Sequence, residues 1–389
     1  MRFSSRIPFG SGSSGSTNRL TALLDEKRRA GGPPVLDLTI SNPTLAGFVY
    51  PDDVLASLAA PAALVHEPSP LGLPVARAAV AADHARRGFT VDPADVALTA
   101  STSEAYALLF KLLADPGDTI LAPTPGYPLF GHLAALEGLR LEHYPLVWDG
   151  EWHLDAGAVA AAVTPRTRAI LVVSPGNPTG AYLKRGELAR LGELGLPLIV
   201  DEVFAEYPTA RAPGDRVELA AAAEIPVPVF SLGGLSKSVG LPQLKLAWIL
   251  ASRAARPALP RLEIIADAYL SVGTPVMHAA AHLLSAGAAV REAIRARVAA
   301  GRAALEGSPL ELLPAEGGWS AILRLPRVRD DEEWALALLD EHGVLVHPGY
   351  FYDLDGGPYV VVSLLAPAED LLRGAGAILA LCPRDFASR

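Results

Sequence analysis

Residues 96–122 read VALTASTSEAYALLFKLLADPGDTILA, and this stretch contains the pattern that decides the fold. An apolar run at 96–99 is followed by small hydroxyl residues, and then by apolar residues at i, i+3, i+4, i+7 and i+8 between 105 and 113. The run predicts a buried strand, the hydroxyls supply N-caps, and the spacing predicts an amphipathic helix. A second apolar run at 119–122 predicts the next strand, so the stretch is a strand, a turn, a helix and a strand.

The same alternation continues to about residue 250. Further apolar runs predict strands at 168–173, 197–200, 227–232 and 244–250. Their continuous apolar character fits strands that are buried on both faces. Strands that alternate with helices indicate an α/β fold, in which helices cover a mostly parallel sheet.

The composition changes after about residue 275. Stretches rich in Ala, Arg and Glu predict helices at 290–306, 331–342 and 367–381, and short strands are predicted at 321–325 and 359–363. We therefore expect an N-terminal arm and small-domain segment (1–40), a large α/β domain (41–275) and a small C-terminal α+β domain (276–389). The Gly/Ser-rich residues 1–19 are expected to form a flexible arm.

Composition and charge exclude several classes of protein. Of 389 residues, 50% are hydrophobic and 19% charged, which excludes extensive disorder. The net charge of −9 comes without a basic stripe, so nucleic acid is not an expected partner. The single cysteine, Cys382, cannot form an internal disulfide, and the apolar runs are shorter than the ~20 residues that cross a bilayer. We expect a cytoplasmic protein without a membrane span.

Four polar or Gly/Pro-rich segments follow predicted strands, where open α/β sheets bind their ligands. They are TASTSE (99–104), SPGNPTG (174–180), LIVDE (198–202) and SLGGLSK (231–237). The first places Ser101, Thr102 and Ser103 at a helix N-terminus, which suits a phosphate group. An ordinary N-cap has the same composition.

The other three segments each offer one reactive or polar group. Asn177 is held forward as a hydrogen-bond donor, although a plain turn has a similar sequence. Asp201 ends a buried strand and needs a partner, which a protonated ring nitrogen or a structural ion pair would provide. Lys237 lies in a Ser/Gly-rich turn and is a candidate Schiff-base nucleophile, although most lysines are simply solvated. The ordered set of four segments favours a single site.

With these segments, the chain resembles the fold-type I (class I/II) pyridoxal-phosphate-dependent aminotransferase family from about residue 36 to 380. The motifs that carry the resemblance are Pro70-Leu-Gly72 with Arg77, Thr99 to Glu104, Pro125-Gly-Tyr127-Pro128, Asn177-Pro-Thr-Gly180, Asp201-Glu202, Ser236-Lys237, Gly317-Gly318 and Pro348-Gly349. The resemblance implies a fold-type I transferase that uses pyridoxal 5′-phosphate and no metal. It also implies an amino donor, a 2-oxo acid acceptor, and a homodimer with active sites at the subunit interface.

The resemblance also implies a role for individual residues. Lys237 would form the Schiff base with the cofactor and then move the proton at the substrate Cα. Asp201 would pair with the pyridine nitrogen, Asn177 would donate to the ring oxygen O3′, and Tyr127 would stack on the ring.

The phosphate of the cofactor would be held at the start of the predicted helix and by a neighbouring turn. The residues implied for this role are Ser101, Thr102, Ser103 and Ser236.

Three cofactor positions depart from the family pattern. Phe204 stands where a tyrosine usually donates to O3′, so one donor is missing. Lys245 replaces an arginine, which keeps the charge but loses the bidentate fork. His66 stands where a tyrosine usually reaches the phosphate of the neighbouring subunit, and an imidazole can also donate.

The largest departure concerns the substrate. The family's α-carboxylate arginine lies in a strand of the form Tyr-Val-Arg-Leu-Ser, and here residues 359–363 read YVVVS, with Val361 at the position of the arginine. Valine cannot bind a carboxylate. The candidates at other pocket positions are Ser41, Asn42, Trp319, His347 and Tyr350.

Two further hypotheses remain beside transamination of an ordinary amino acid held by those residues. Val361 and Phe204 leave open another reaction on the same cofactor: a β-lyase, decarboxylase, racemase or oxidase-like reaction. A cofactor-binding sensor without turnover is the third hypothesis. Such regulators usually carry an additional DNA-binding domain, for which residues 1–36 leave no room.

Overall fold

The computed structural model of the chain describes residues 4, 6, 7 and 18–383, so the predicted arm at 1–19 lies almost entirely outside the described residues. The helices are α1 (Arg19–Ala30), α2 (Pro74–Arg86), α3 (Thr102–Leu113), α4 (Leu129–Leu136), α5 (Ala156–Ala162), α6 (Arg185–Gly192), α7 (Leu235–Ser238), α8 (Leu259–Asp267), α9 (Thr274–Ala286), α10 (Ala288–Glu306), α11 (Asp331–His342) and α12 (Ala368–Leu381). The strands are β1 (Leu36–Asp37), β2 (Val96–Thr99), β3 (Thr119–Thr124), β4 (Arg140–Trp148), β5 (Trp152–Leu154), β6 (Thr167–Val173), β7 (Leu198–Asp201), β8 (Val229–Gly234), β9 (Ala247–Ala251), β10 (Glu311–Leu312), β11 (Ser320–Arg324), β12 (Val344–Leu345), β13 (His347–Pro348) and β14 (Tyr359–Ser363).

An eight-stranded sheet with the order β2-β9-β8-β7-β6-β3-β4-β5 forms the centre of the larger part of the chain. The pairs β3/β4, β3/β6, β6/β7 and β7/β8 are parallel, which confirms the predicted mostly parallel α/β sheet. Successive strand residues alternate between two cores. Ile120 and Ile199 pack in one core, whereas Leu121 and Val200 pack in the other. The sheet is therefore buried on both faces, as the continuous apolar runs require.

A four-stranded antiparallel sheet, β10-β11-β14-β13, forms the second unit. Its core includes Trp334 and Leu338 of α11 together with Leu20 and Leu38 from the start of the chain. Strand β1 also pairs with β12 in parallel, with Leu36 opposite Val344. The first and last parts of the described chain are thus packed together.

Helix α9 begins beside the predicted domain boundary at 275. It packs in a core with α2 and β9, where Ala280 and Leu283 lie with Ala76 and Trp248. The proposed division of the chain at residues 40 and 275 stays a prediction. Within the described part of the chain, no helix is both long and apolar enough to cross a membrane.

Candidate active site

A cavity of about 410 Å³ lies at the carboxyl ends of the parallel strands β6 and β7 and is bordered on another side by β14 of the smaller sheet. This is the edge at which open α/β sheets bind ligands. The predicted site residues that line it are Ser41, Ser101, Thr102, Ser103, Tyr127, Asn177, Asp201, Phe204, Ser236, Lys237, Lys245, Trp319 and His347.

The N-terminus of α3 forms one end of the cavity. The Ser101 hydroxyl accepts a hydrogen bond from the backbone N–H of Glu104 at 3.1 Å and caps the helix. Within residues 18–383, the backbone N–H groups of Thr102 and Ser103 have no hydrogen-bond acceptor. Two free N–H groups at the positive end of the helix dipole suit a phosphate.

Lys245 contributes positive charge to the same cavity. Its backbone has a φ of 52°, in the left-handed region that non-glycine residues rarely adopt. Such a conformation costs of order 1 kcal/mol and is often found at functional sites. The turn after Pro242–Leu244 thus holds the lysine at the cavity in spite of local strain.

The carboxylate of Asp201 is buried at the end of β7 and is bonded on both oxygens. The Tyr106 hydroxyl donates to Oδ2 at 2.6 Å, and the backbone N–H of Val203 donates to Oδ1 at 3.0 Å. Burial raises the pKa of Asp201, while these two donors and the charge of Lys237 act in the opposite direction. A cationic ligand atom would complete its environment.

Lys237 extends into the cavity from α7. Its Nζ lies 5.0 Å from the ring centroid of Trp319 and 5.6 Å from that of Phe204, and it donates to the Ser41 carbonyl oxygen at 3.4 Å. Burial lowers the pKa of Lys237 to about 8, and Asp201 limits the decrease. An amine that loses its proton near neutral pH is an effective nucleophile.

Asn177 and Tyr127 present ligand-binding surfaces between these groups. The Ser320 hydroxyl donates to Asn177 Oδ1 at 3.2 Å, so the amide nitrogen remains available as a donor toward a ligand. The Tyr127 ring lines the cavity, is 42% exposed and makes a T-shaped contact with Phe130, so part of the ring is open to a planar ligand.

Three predicted site residues do not line this cavity within one subunit, and their roles stay predictions; for His66 the predicted contact is with the phosphate of the neighbouring subunit. The Asn42 side chain is occupied as a helix cap, since it accepts from the backbone N–H of Thr44 at 3.0 Å. The Tyr350 ring is 43% exposed and packs against Phe351. His66 borders a different cavity, of about 170 Å³.

Several tyrosines that hold the site together were not predicted from the sequence. Tyr106 bonds Asp201, Tyr207 donates its hydroxyl to the backbone carbonyl of Lys237 at 2.5 Å, and Tyr352 lines the cavity. For Tyr106 the sequence does offer a signal: it is a tyrosine on the apolar face of α3, and a buried hydroxyl needs a hydrogen-bond partner. Which residue is that partner depends on tertiary packing.

The sheet topology and the position of the cavity together define an α/β protein of fold-type I. A structure of alanine aminotransferase from Pyrococcus furiosus matches with a TM-score of 0.84 at 24% identity and covers 100% of both chains. The family model described as "Aminotransferase class I and II" matches residues 34–366, and the chain belongs to this family.

Individual relatives fall into two groups by coverage. Arginine–pyruvate transaminase AruH of Pseudomonas aeruginosa is 30% identical over 323 residues, 80% of each chain. Nicotianamine aminotransferase 1 of Oryza sativa is 30% identical over 59% of this chain and 47% of its own length. S-alkyl-thiohydroximate lyase SUR1 of Arabidopsis thaliana is 34% identical over 46% of this chain and 39% of its own. The chain thus spans about half the length of the plant relatives it matches.

Proposed function

We propose that the protein is a pyridoxal-phosphate-dependent aminotransferase that moves an amino group between an amino acid, or a related amine, and a 2-oxo acid. The observation that carries this proposal is the position of Lys237 and Asp201 in one cavity that also contains the free N-terminus of α3. An amine with a pKa of about 8, a buried carboxylate without a cationic partner of its own and a phosphate site match the three ends of one cofactor.

The residues fit pyridoxal 5′-phosphate, which when bound supplies an electron sink for the substrate carbanion. The backbone N–H groups of Thr102 and Ser103, together with Ser236 and Lys245, would hold the phosphate. Asp201, already bonded by Tyr106, has the charge that a protonated ring nitrogen needs. We assign Asp201 to the ring nitrogen because a buried carboxylate stabilises a nearby positive charge.

Asn177 would donate to the ring oxygen, and the open part of Tyr127 would stack on the ring. Phe204 lies beside Lys237 and offers no second donor to that oxygen. The burial of Trp319 beside the amine excludes water from one side of it.

Lys237 is the group that would move the proton at the substrate Cα. Because its pKa is about 8, it can both accept and donate a proton near neutral pH, which is the condition for efficient general acid–base catalysis. The Tyr207 hydroxyl, bonded to its carbonyl, fixes the backbone from which it reaches.

We further propose a homodimer with His66 directed at the phosphate site of the partner subunit. The support is a segment, residues 41–76, that carries strongly exposed apolar side chains and contains no Lys or Arg. Large exposed apolar patches mark association surfaces. A cytoplasmic location stays a prediction from the sequence.

A panel of amino donors without acceptor tests the proposed function. With a true donor, one equivalent of 2-oxo acid is released per subunit, and the amino group is then delivered to a 2-oxo acid added later. Lys237→Ala is expected to lose turnover by roughly 10³-fold or more, whereas Lys111→Ala, a lysine outside the cavity, keeps it. Continuous release of ammonia and oxo acid without acceptor, together with the β-substituent of a donor that carries one, would instead identify a lyase, the reaction class in the name of the SUR1 relative.

A further inference from the structure

Val361 occupies the centre of β14, in the wall of the cavity, where the resemblance places a carboxylate-binding arginine. It is 2% exposed. Among the described residues that line the cavity, the cations are Lys237 and Lys245, and both are assigned above to the cofactor. A carboxylate bound against β14 needs another source of positive charge, because burying an uncompensated charge is costly.

The neighbouring strand supplies a candidate. Strand β13 pairs with β14 in antiparallel register, and His347 lies directly opposite Val361. Side chains that are opposite in an antiparallel pair lie on the same face, with Cβ atoms about 4.5–5.5 Å apart. His347 also lines the cavity, so a group that reaches Val361 comes within range of the imidazole.

The imidazole is held in place by Tyr352. His347 Nδ1 lies 3.0 Å from the Tyr352 hydroxyl, and this tyrosine is itself 8% exposed and lines the cavity. The bond fixes the orientation of the ring and leaves Nε2 for a ligand. A neutral ring accepts from Tyr352 at Nδ1, whereas a protonated ring donates from both nitrogens at once.

We propose that His347 and Tyr352 replace the family's arginine and bind the α-carboxylate of the substrate, and that His347 takes one proton from solvent as the carboxylate binds. The inference rests on the proposed function and names its substrate class: α-amino acids and 2-oxo acids with a free carboxylate. It makes the pair the specificity-determining residues of the cavity.

The groups that face His347 agree with a ring that is neutral until an anion arrives. Burial lowers the pKa of His347, and the charge of Asp37, from β1, acts in the opposite direction. The Asp37 carboxylate already accepts two hydrogen bonds from Thr39. Lys237 and Asp201 carry opposite charges in the same cavity. A bound carboxylate therefore adds the negative charge that favours the imidazolium.

Calorimetry on the holoenzyme tests the proposal. Butanoate and 3-phenylpropanoate, which cannot react, are titrated in two buffers of different ionisation enthalpy, beside the matching amides. Wild-type protein is expected to take up about one proton per carboxylate, and its affinity to fall about tenfold per pH unit above the pKa of His347. The amides are expected to bind without proton uptake.

Variants test whether His347, rather than another group, takes up the proton that accompanies carboxylate binding. His347→Gln is expected to lose the uptake and to bind carboxylates at least tenfold more weakly, while His342→Gln, an exposed histidine on α11, behaves as wild type. Val361→Arg in the His347→Gln background is expected to restore carboxylate binding without uptake. The cofactor absorbance, followed in parallel, reports any proton that goes to Lys237 instead.

Unchanged uptake in His347→Gln, or amides that bind as tightly as carboxylates, would overturn the proposal. Failure of the proposed function has a different signature, because release of 2-oxo acid from amino donors does not depend on which residue binds the carboxylate. Amino transfer without proton uptake would reject the His347–Tyr352 pair alone.

Discussion

At the scale of single residues, the Asp201 carboxylate depends on a hydroxyl from another element. Tyr106 comes from α3, the helix whose N-terminus is the proposed phosphate site, and donates to Oδ2. One helix thus supports both ends of the proposed cofactor site.

The variant Tyr106→Phe removes the hydrogen bond to the Asp201 carboxylate but keeps the packing of the aromatic ring. Tyr106→Phe is expected to raise the pKa of Asp201 further, because the donation from Tyr106 lowers it. We expect a loss of about 1–2 kcal/mol in unfolding free energy, together with weaker cofactor binding, measured by spectroscopic titration. Tyr144→Phe, which loses a buried bond to the Leu171 carbonyl oxygen at 2.8 Å, is the control that keeps cofactor affinity. Equal cofactor affinities in the two variants would contradict the role of Tyr106.

The buried carboxyl group of Glu202 is expected to make the unfolding free energy of the protein depend on pH. Burial raises the pKa of Glu202 to about 7, against the opposing effects of the Ser231 hydroxyl and of the Ala220 backbone N–H, which donates to Oε1 at 2.7 Å. Between its ordinary pKa and about 7, the folded protein holds a proton that the unfolded chain releases, so this contribution to stability is lost as pH rises through that window. Relative to wild type, Glu202→Gln should therefore gain unfolding free energy between pH 5 and about pH 8, most of it between pH 5 and pH 7 and at most about 1.4 kcal/mol per pH unit, which is followed as the difference in melting temperature.

Glu206 is the matched control for this pH series. Burial alone would raise the pKa of Glu206, but Arg291 and Arg86 hold it below its usual range. Glu206→Gln is therefore expected to destabilise the protein at pH 8. A Glu202→Gln variant that loses stability at pH 8 as Glu206→Gln does would show that the Glu202 carboxylate is stabilised by its surroundings.

At the scale of elements, the loop that carries Asn177 is fitted to the turn before β11. Gly180 has a φ of 72°, and a Cβ there would lie 2.5 Å from the carbonyl oxygen of Gly317. The close approach joins the end of β6 to the smaller sheet, where Ser320 donates to Asn177.

Gly180→Ala is therefore expected to be costly. The positive φ and the clash together should destabilise the protein by about 2 kcal/mol or more, and movement of Asn177 should weaken cofactor binding. The measurement is thermal unfolding of the apoprotein and the holoprotein. Gly186→Ala on α6, where a Cβ meets nothing within 4 Å, should be neutral or slightly stabilising. Equal melting temperatures for the two variants would contradict the close contact between Gly180 and the Gly317 carbonyl oxygen.

Elements with a strong local pattern were predictable from the sequence. Strand β2 and helix α11 have the predicted bounds, because apolar spacing and caps are local signals. Strands β4 and β5 were missed, since the first six residues of β4 include four exposed ones, Arg140, Glu142, His143 and Pro145, and lack an apolar run, and β5 is a three-residue strand at the edge of the sheet. The site followed from polar residues at strand ends, whereas the tyrosine partners, and the failure of Asn42 and Tyr350 to reach the cavity, depend on tertiary packing.

At the scale of the whole molecule, the proposed dimer makes a direct prediction. Leu64 and Val49 are 90% and 88% exposed in the 41–76 segment. Leu64→Asp is expected to shift the protein toward monomer in light scattering and to weaken cofactor binding, because His66 of the partner would be lost from the phosphate site. Leu372→Asp, an exposed apolar residue on α12, is the control. A wild-type protein that is monomeric at micromolar concentration would reject the dimer.

The pairing of β1 with β12 determines when the fold can be completed during synthesis. Asp37 in β1 cannot pair with Leu345 in β12 until the ribosome has synthesised the chain between them. At ~5–20 residues per second, the ribosome needs roughly 15–60 s to make the intervening chain. The eight-stranded sheet, whose last strand ends at Ala251, can assemble during that time, whereas Val361, which lines the cavity, follows residue 345 in the chain. Strand β14, which forms the cavity wall proposed to select the substrate, is therefore synthesised after the start of α3, which is proposed to hold the phosphate.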